Sequence, residues 1–470
     1  MMAAMNNSIL TPSLARPAEA PRPRLGEILR SGDAGYDEAR AIWNGAIDRR
    51  PAFIVRCRTT AEVAASVRFA SDNDLLLAVK GGGHSIPGWS VCEGGLMIDL
   101  STMKDIEVDA QRRVARAQPG LLWGEYDAAV QAHGLASPGG EISHTGVAGL
   151  TLGGGIGWLS RRFGLACDNL LEAEVVLANG EVVITNAQEH ADLFWVLRGG
   201  GGNFGVVTRF TFQLHPVAPM MAGFVMYPAS QAVEVLRHFE RLTRSAPKEL
   251  SLVAALVAAP PATFVPEPLH FQPMVAVAAC HVGPLEEGAA AVQALRSFGT
   301  PAVDTFSVQN YVDIQQWFDN SVPHGLHYHC RSEWLKPLEE RDIVALAQAA
   351  ARSTAPMSQV LVRHMRGATS EVTPDATAFR FRDAAHMLTV AAVWQPGDTQ
   401  PERHRDWCRG VWQALRPATA GGGYVNHLTD EGEDRTREAY GAQTWARLVE
   451  LKRRYDPENL FRMNQNIKPA

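Results

Sequence analysis

The residues best suited to chemistry sit in three glycine clusters and one run of histidines. Residues 75–85 read LLLAVKGGGHS, an apolar strand leading into Lys80, Gly81, Gly82, Gly83, His84 and Ser85. Consecutive glycines let backbone amides turn inward and approach a pyrophosphate closely, because no Cβ blocks the way. His84 would then stand beside a bound nucleotide, although an ordinary Gly-rich turn with a surface histidine reads the same way. A second cluster, GGEISHTGVAGLTLGGGIGWLSRRFGLACDN over residues 139–169, carries Gly149, Gly153, Gly154, Gly155 and Gly157. Backbone of that kind can lie flat against a planar ring and offer it N–H donors. The third cluster, LRGGGGNFGVV at 197–207, contains a formal GxGxxG at Gly200, Gly202 and Gly205. It is not a Rossmann site: a strand pattern (VVTRFTF) follows where a helix is required, and no acidic residue occurs between Gly205 and Glu234 to hold a ribose. His324, His327, His329 and Cys330 make the one metal-like run. In a strand His327 and His329 share a face and Cys330 points away, so the run reads as structural or substrate-lining, with no metal expected.

Those loops need elements to hold them. Residues 52–57 (AFIVRC) read as a buried strand, and Thr59 with Glu62 forms a T-x-x-E start for a helix carrying Val63, Val67 and Ala70 inward. Residues 75–79 make the next strand. Residues 1–35 read as a flexible, Pro-bearing tail, with order beginning near Tyr36. More than half of the 41 glycines fall between Gly81 and Gly205, which concentrates backbone–ligand contacts there. Beyond Pro216 the pattern changes: β-rich runs (271–279, 387–394) alternate with helical ones (229–243, 339–352), an α+β unit on an antiparallel sheet. Gly421, Gly422 and Gly423 mark a further boundary, and a helix over 444–454 ends at Asp456-Pro457.

The order and spacing of KGGGHS, TGVAGLTLGGGIGWL, GLACDN, LRGGGGNFGVV, and YVN followed by YDPENLFRMNQNI resemble one family. It is the berberine-bridge-enzyme-like branch of FAD-linked oxidases, within the vanillyl-alcohol oxidase/p-cresol methylhydroxylase (PCMH) superfamily. The resemblance runs from about Tyr36 to the C-terminus. It implies an α+β fold with a PCMH-type FAD-binding domain in two parts, 36–217 and 421–470, and an inserted substrate domain over 218–420. It further implies that His84 bonds covalently to the flavin 8α-methyl and that Lys80, Gly81, Gly82, Gly83 and Ser85 wrap the pyrophosphate. Thr145, Gly146, Gly149, Gly153, Gly154, Gly155 and Gly157 would pack near pyrophosphate and ring. Asn203, Gly205 and Val207 would complete the nucleotide pocket, with Asn426, Asn464 and Asn466 returning to the cofactor. Many relatives carry a second link from a cysteine four residues before the glycine that is Gly146 here. This chain has Ile142, which implies a single attachment. Tyr424 falls where relatives place a catalytic tyrosine. Glu371 falls where they place substrate-facing residues, although a plain reading makes it an exposed carboxylate.

The resemblance thus implies an oxidase moving hydride from a C–OH or C–N carbon of a small or mid-sized organic substrate to flavin, with O2 as acceptor and H2O2 as product. A dehydrogenase on the same fold and a non-catalytic flavin-binding protein are the alternatives. Trp317, Phe318, Tyr328, Trp334 and Trp394 motivate an aromatic or alicyclic substrate, although such residues are more often core than pocket. The rest of the composition bounds the class. A net charge of −6 leaves no basic field for nucleic acid, and no apolar run is long enough to span a membrane. The six cysteines show no CxxC spacing and no secretory pattern is evident, so a reducing, cytoplasmic setting is expected.

Overall fold

The computed structural model describes residues 24–469, so all but the last part of the expected tail lies outside the described residues. Within it, order begins earlier than Tyr36. Glu27–Leu29 pairs antiparallel with Phe53–Arg56, and Leu25, Ile28 and Leu29 pack into the cores beneath. Phe53–Arg56 and Leu77–Lys80 flank Leu96–Asp99 in parallel, completing a four-stranded sheet. The helix Thr60–Asp72 crosses this sheet and buries Val63, Val67 and Ala70. Its start is close to the expected one. The Thr59 hydroxyl accepts from the Glu62 amide at 3.3 Å, while the Glu62 carboxylate reaches past Thr59 to the Arg58 amide at 2.6 Å. A five-stranded antiparallel sheet follows, in the order Ile106–Asp109, Val114–Ala117, Val206–Gln213, Leu170–Val176, Val182–Asn186.

From Met220 the chain builds an eight-stranded antiparallel sheet whose central strands are Met220–Pro228, Pro273–His281, Leu250–Ala258, Gln359–His364, His386–Trp394 and His327–Leu335. The period-2 alternation of a strand divides its residues cleanly. Leu252, Ala254, Val275, Val277, Val360, Val362, Leu388 and Val390 face the helices Ala232–Ser245, Leu285–Arg296, Glu340–Ala350 and Pro401–Ala414. Their neighbours Val253, Ala276, Ala278, Leu361, Arg363, Met387 and Thr389 face a cavity on the opposite side. Residues on both faces are largely buried, so these strands read as nearly continuous apolar runs. Among the described residues no helix is long and apolar enough to cross a membrane, and all six cysteines are free and buried.

After residue 420 the chain returns to the first half. The helix Ala442–Tyr455 buries Trp445, Leu448 and Leu451 among Leu193, Phe194, Leu197 and Phe204. One turn from its end, Lys452 is wholly buried. Its ammonium donates to Asp456 Oδ2 at 2.7 Å, Asn203 O at 2.8 Å and Phe461 O at 2.9 Å. Asp456 in turn accepts from the amides of Leu460 and Phe461. This knot fastens the DPENLF turn to the loop carrying Asn203. Lys452→Met leaves a buried carboxylate without its counter-charge, and is expected to cost about 3–5 kcal/mol in urea unfolding; a loss below about 1 kcal/mol would refute the role given to the pair.

Candidate active site

The three glycine loops, the terminal segment and the open face of the large sheet enclose one cavity of about 1130 Å3. Gly81, Gly82, Gly83, His84 and Ser85 line it where the strand Leu77–Lys80 ends, facing Thr145, Gly146 and Gly149. The two loops meet backbone to backbone at their glycines: a Cβ on Gly82 would lie 2.5 Å from the backbone of Gly146. Gly149, at the helix Val147–Leu152, and Gly202 have open space where a Cβ would stand, and both line the cavity. Asn203 and Asn464 complete this end. The carbonyl oxygen of the Asn464 side chain is buried without a hydrogen-bond partner among the described residues, which leaves an acceptor for a ligand.

Several residues expected in the pocket prove to support its wall instead. Lys80 ends its strand with the ammonium on Ala39 O at 2.6 Å, outside the cavity lining. Gly153, Gly154, Gly155 and Gly157 are small because protein, not ligand, presses on them: added Cβ atoms would meet Asn426, Phe379, Ala166 and Gly139 at 2.1–2.6 Å. Gly205 abuts Val175, and Val207 is paired with Val175 in the five-stranded sheet. Asn466 lies behind the wall, its Oδ1 buried and unpartnered among the described residues. Glu371 is the largest displacement. Arg366 and Gly367, both at positive φ, turn the chain out of the sheet into the short helix Ala368–Glu371. Its carboxylate is an exposed partner of Lys248 at 2.9 Å, far from any role in the cavity.

The acidic group that does line the cavity is Glu141, held by Arg363 through three hydrogen bonds of 2.6–2.9 Å. Arg363 also donates to Thr389 Oγ1 at 3.1 Å, and Thr389 Oγ1 shares a hydrogen bond with His427 Nδ1 at 3.0 Å. Burial, reinforced by the Arg363 charge, pushes His427 down to about 3, so it is neutral. Tyr424 stands edge-on to His427 with ring centroids 4.9 Å apart. Its hydroxyl oxygen receives the Gly155 amide at 2.9 Å and Asn426 Nδ2 at 2.8 Å, while Asn426 also donates to Leu150 O. Burial raises the Tyr424 hydroxyl above the ordinary tyrosine range, against the pull of those two donors. Its own proton has no acceptor among the described residues.

His84 lines the same cavity, against Trp43. Trp43 stacks on it at 4.5 Å and continues onto Tyr328 at 3.7 Å. His84 Nε2 lies 2.8 Å from His144 Nδ1, and His324 is the third imidazole of the group. The histidine run of the sequence therefore splits: His324 joins His84 and His144, while His327 packs edge-on to Trp394 and His329 leaves the cavity lining. Tyr328 and Cys330 take the cavity side of that strand, with Trp317 and Phe318; Trp334 and Trp394 belong to the cores. Trp43, Glu141, His144, Arg363 and Thr389 were not apparent in the sequence. Alternation along the strands containing Arg363 and Thr389 was the one signal that could have pointed to those two.

The family described as "FAD binding domain" matches residues 51–186, and that described as "Berberine and berberine like" matches residues 423–468. An FAD-linked oxidoreductase of Dictyostelium discoideum is 34% identical over 449 residues, 94% of this chain and 95% of the relative. The (R)-6-hydroxynicotine oxidase of Paenarthrobacter nicotinovorans is 32% identical over 453 residues, covering 94% and 97%. The crystal structure of 6-hydroxy-D-nicotine oxidase from Arthrobacter nicotinovorans superposes with a TM-score of 0.87 at 29% identity, over 97% of this chain and all of that one. On these matches, and with the α+β architecture above, the chain is an FAD-linked oxidoreductase of the berberine-bridge-enzyme-like branch of the vanillyl-alcohol oxidase/PCMH superfamily.

Proposed function

We propose that this enzyme is an oxidase that takes hydride from a C–OH or C–N carbon of a largely apolar organic substrate onto FAD held covalently by His84 alone. The observation that carries the reading is a single cavity with His84 and the glycine cradle at one end and Tyr424 against the substrate-facing sheet. FAD, when bound, supplies the two-electron acceptor and passes the pair to dioxygen, giving hydrogen peroxide. The fit to such a group rests on the open space at Gly149 and Gly202 and on the unpartnered Asn464 oxygen. Ile142 lines the cavity where a second, thioether link would need a cysteine.

The chain's own residues bind, orient and deprotonate. Val253, Ala276, Ala278, Leu361 and Met387 give the substrate an apolar bed, and Phe264 and Phe271, both exposed, frame its mouth. The Glu141–Arg363–Thr389–His427 chain offers a polar edge of no net charge, which suits a hydroxyl, carbonyl or amine rather than a carboxylate. Tyr424 takes the proton from the substrate heteroatom as its carbon gives up hydride. In the phenol form its two lone pairs are filled by Gly155 and Asn426, so it accepts only as phenolate, which those donors stabilise. The test is a panel of alcohols and amines added anaerobically. A substrate is expected to bleach the flavin, and air to restore it with one peroxide per turnover. Bleaching with no reoxidation by oxygen would make the protein a dehydrogenase.

Gly149→Val probes the cradle separately. Apart from its chain neighbours and the backbone of its own helix, no described atom lies within 4 Å of its Cβ position, so folding should be unaffected while the side chain occupies cofactor space. FAD retention is expected to weaken by at least about tenfold, roughly 1.4 kcal/mol, with an unchanged apoprotein melting temperature. Full FAD occupancy in the variant would exclude this surface from the cofactor site.

A further inference from the structure

Strand register arranges the cavity-facing residues of the large sheet in rows that cross it. One row runs Met387, Arg363, Val253, Ala278, Phe224, each paired with the next on the neighbouring strand. Beside it runs Thr389, Leu361, Ala255, Ala276, Met226. All ten line the cavity. Each row crosses five strands, and four spacings of about 4.8 Å make it roughly 19 Å long. The rows begin at the polar edge formed by Arg363 and Thr389. They end in an aromatic corner, where Phe224 stands edge-on to Phe264 at 5.5 Å and to Trp317 at 6.4 Å. Between these ends Ala255, Ala276 and Ala278 leave depth that larger side chains would fill. Two different segments wall the rows: Ala259 and Val265 pack with Met226 and Ala276, while Trp317 and Phe318 pack with Val253 and Ala278. The result is an apolar trough that leaves the catalytic end and opens where Phe264 and Phe271 are exposed.

We propose that the substrate carries an extended hydrocarbon tail, alkyl or isoprenoid, which lies in this trough while its polar, oxidisable end meets Tyr424 and the Arg363–Thr389 edge. The inference rests on the oxidase reading above and adds to it the shape of the substrate's far end. Among the described residues Glu141 and Arg363 are the only acidic or basic side chains lining the cavity besides histidine, and they pair with each other. From Val253 to Phe224 and from Ala255 to Met226 the rows offer no side-chain hydrogen-bond donor. A hydroxyl or charge placed there would lose its water and find no partner. A compact ring held at the polar edge would cover only the first positions of each row and leave the alanine floor uncovered. A tail covers it, and each methylene laid there is worth up to about fourfold in affinity.

The probes are 4-alkylbenzyl alcohols with chains from methyl to octyl. Calorimetric titration into dithionite-reduced holoenzyme, whose flavin cannot take a further hydride, reads binding apart from turnover. The Kd is expected to fall about threefold per added methylene. A hydroxyl at the end of the octyl chain should weaken binding by at least about tenfold. Ala255→Phe and Ala278→Phe each set a ring across one row, and should reduce the gain to below about 1.5-fold per methylene. Should one variant fail to fold, the other carries the same reading. A wild-type gain below about 1.5-fold per methylene would overturn the proposal. An octyl member that does not bind, or a steep series that survives in a folded variant, would do the same. Anaerobic bleaching of the oxidised enzyme is scored separately with these alcohols and the matching amines. A steep series without bleaching would support the tail site and count against the oxidase reading; bleaching by a flat series would support the oxidase and refute the tail.

Discussion

Tyr424→Phe is expected to slow anaerobic flavin reduction by about 100-fold while leaving FAD content and fold unchanged. The substitution keeps the buried ring, with its edge contacts to Trp334, Phe379 and His427, and removes only the hydroxyl. General-base contributions run from about 10² to 10⁴, and the lower figure is expected because Asn426 and His427 remain to orient the substrate. The variant also strands the Gly155 amide and one Asn426 hydrogen, so a stability loss of about 1–3 kcal/mol should accompany the kinetic one. The pH dependence has a definite sign. Burial raises the Tyr424 hydroxyl above its ordinary value, so the active phenolate is the minor form at neutral pH. The logarithm of the reduction rate should therefore climb with pH from 7 to 10 without reaching a plateau. A wild-type profile that is flat over that range, or a Tyr424→Phe rate equal to wild type, would remove Tyr424 as the base.

The second large effect belongs to His84. His84→Ala is expected to retain FAD through the Gly81–Gly83, Gly146 and Gly149 surfaces and to release all of it into acid, where wild type releases none. The loss of the ring also unstacks Trp43, which is braced on its other face by Tyr328 and through Nε1 by Val322 O at 2.8 Å. Flavin reduction should be slower as well, since an untethered flavin is the weaker hydride acceptor. Acid-stable flavin persisting in His84→Ala would place the bond elsewhere.

What could be read from the sequence, and what could not, follows from how each part is encoded. That Gly81–Gly83 line the cavity was legible, because backbone left bare by consecutive glycines is open to close approach. The same letter misled at Gly153, Gly154, Gly155 and Gly157, where glycine makes room for Asn426, Phe379, Ala166 and Gly139 instead of for a ligand. Only the fold distinguishes the two causes. The strand Glu27–Leu29 went unread because three residues near a proline-bearing segment carry no period. Glu371 was misplaced because two positive-φ residues, Arg366 and Gly367, redirect the chain without a compositional trace. The polar edge of the cavity was illegible for a different reason. Glu141 and Arg363 are 222 residues apart, and they meet only because one lies on the loop before the second glycine cluster and the other on the open face of the large sheet. The sequence run His324, His327, His329 likewise concealed the actual grouping, since strand alternation separates its members and loop closure brings His144 and His84 to the first of them.

The central claim, an FAD oxidoreductase whose flavin is carried by His84 alone, is tested most directly by mass spectrometry of acid-denatured wild-type protein followed by peptide mapping. An intact mass increased by one FAD is expected, with the whole increment on the single peptide containing His84 and none on any cysteine-containing peptide. A bare polypeptide mass after acid treatment, or flavin found on any other residue, would contradict it.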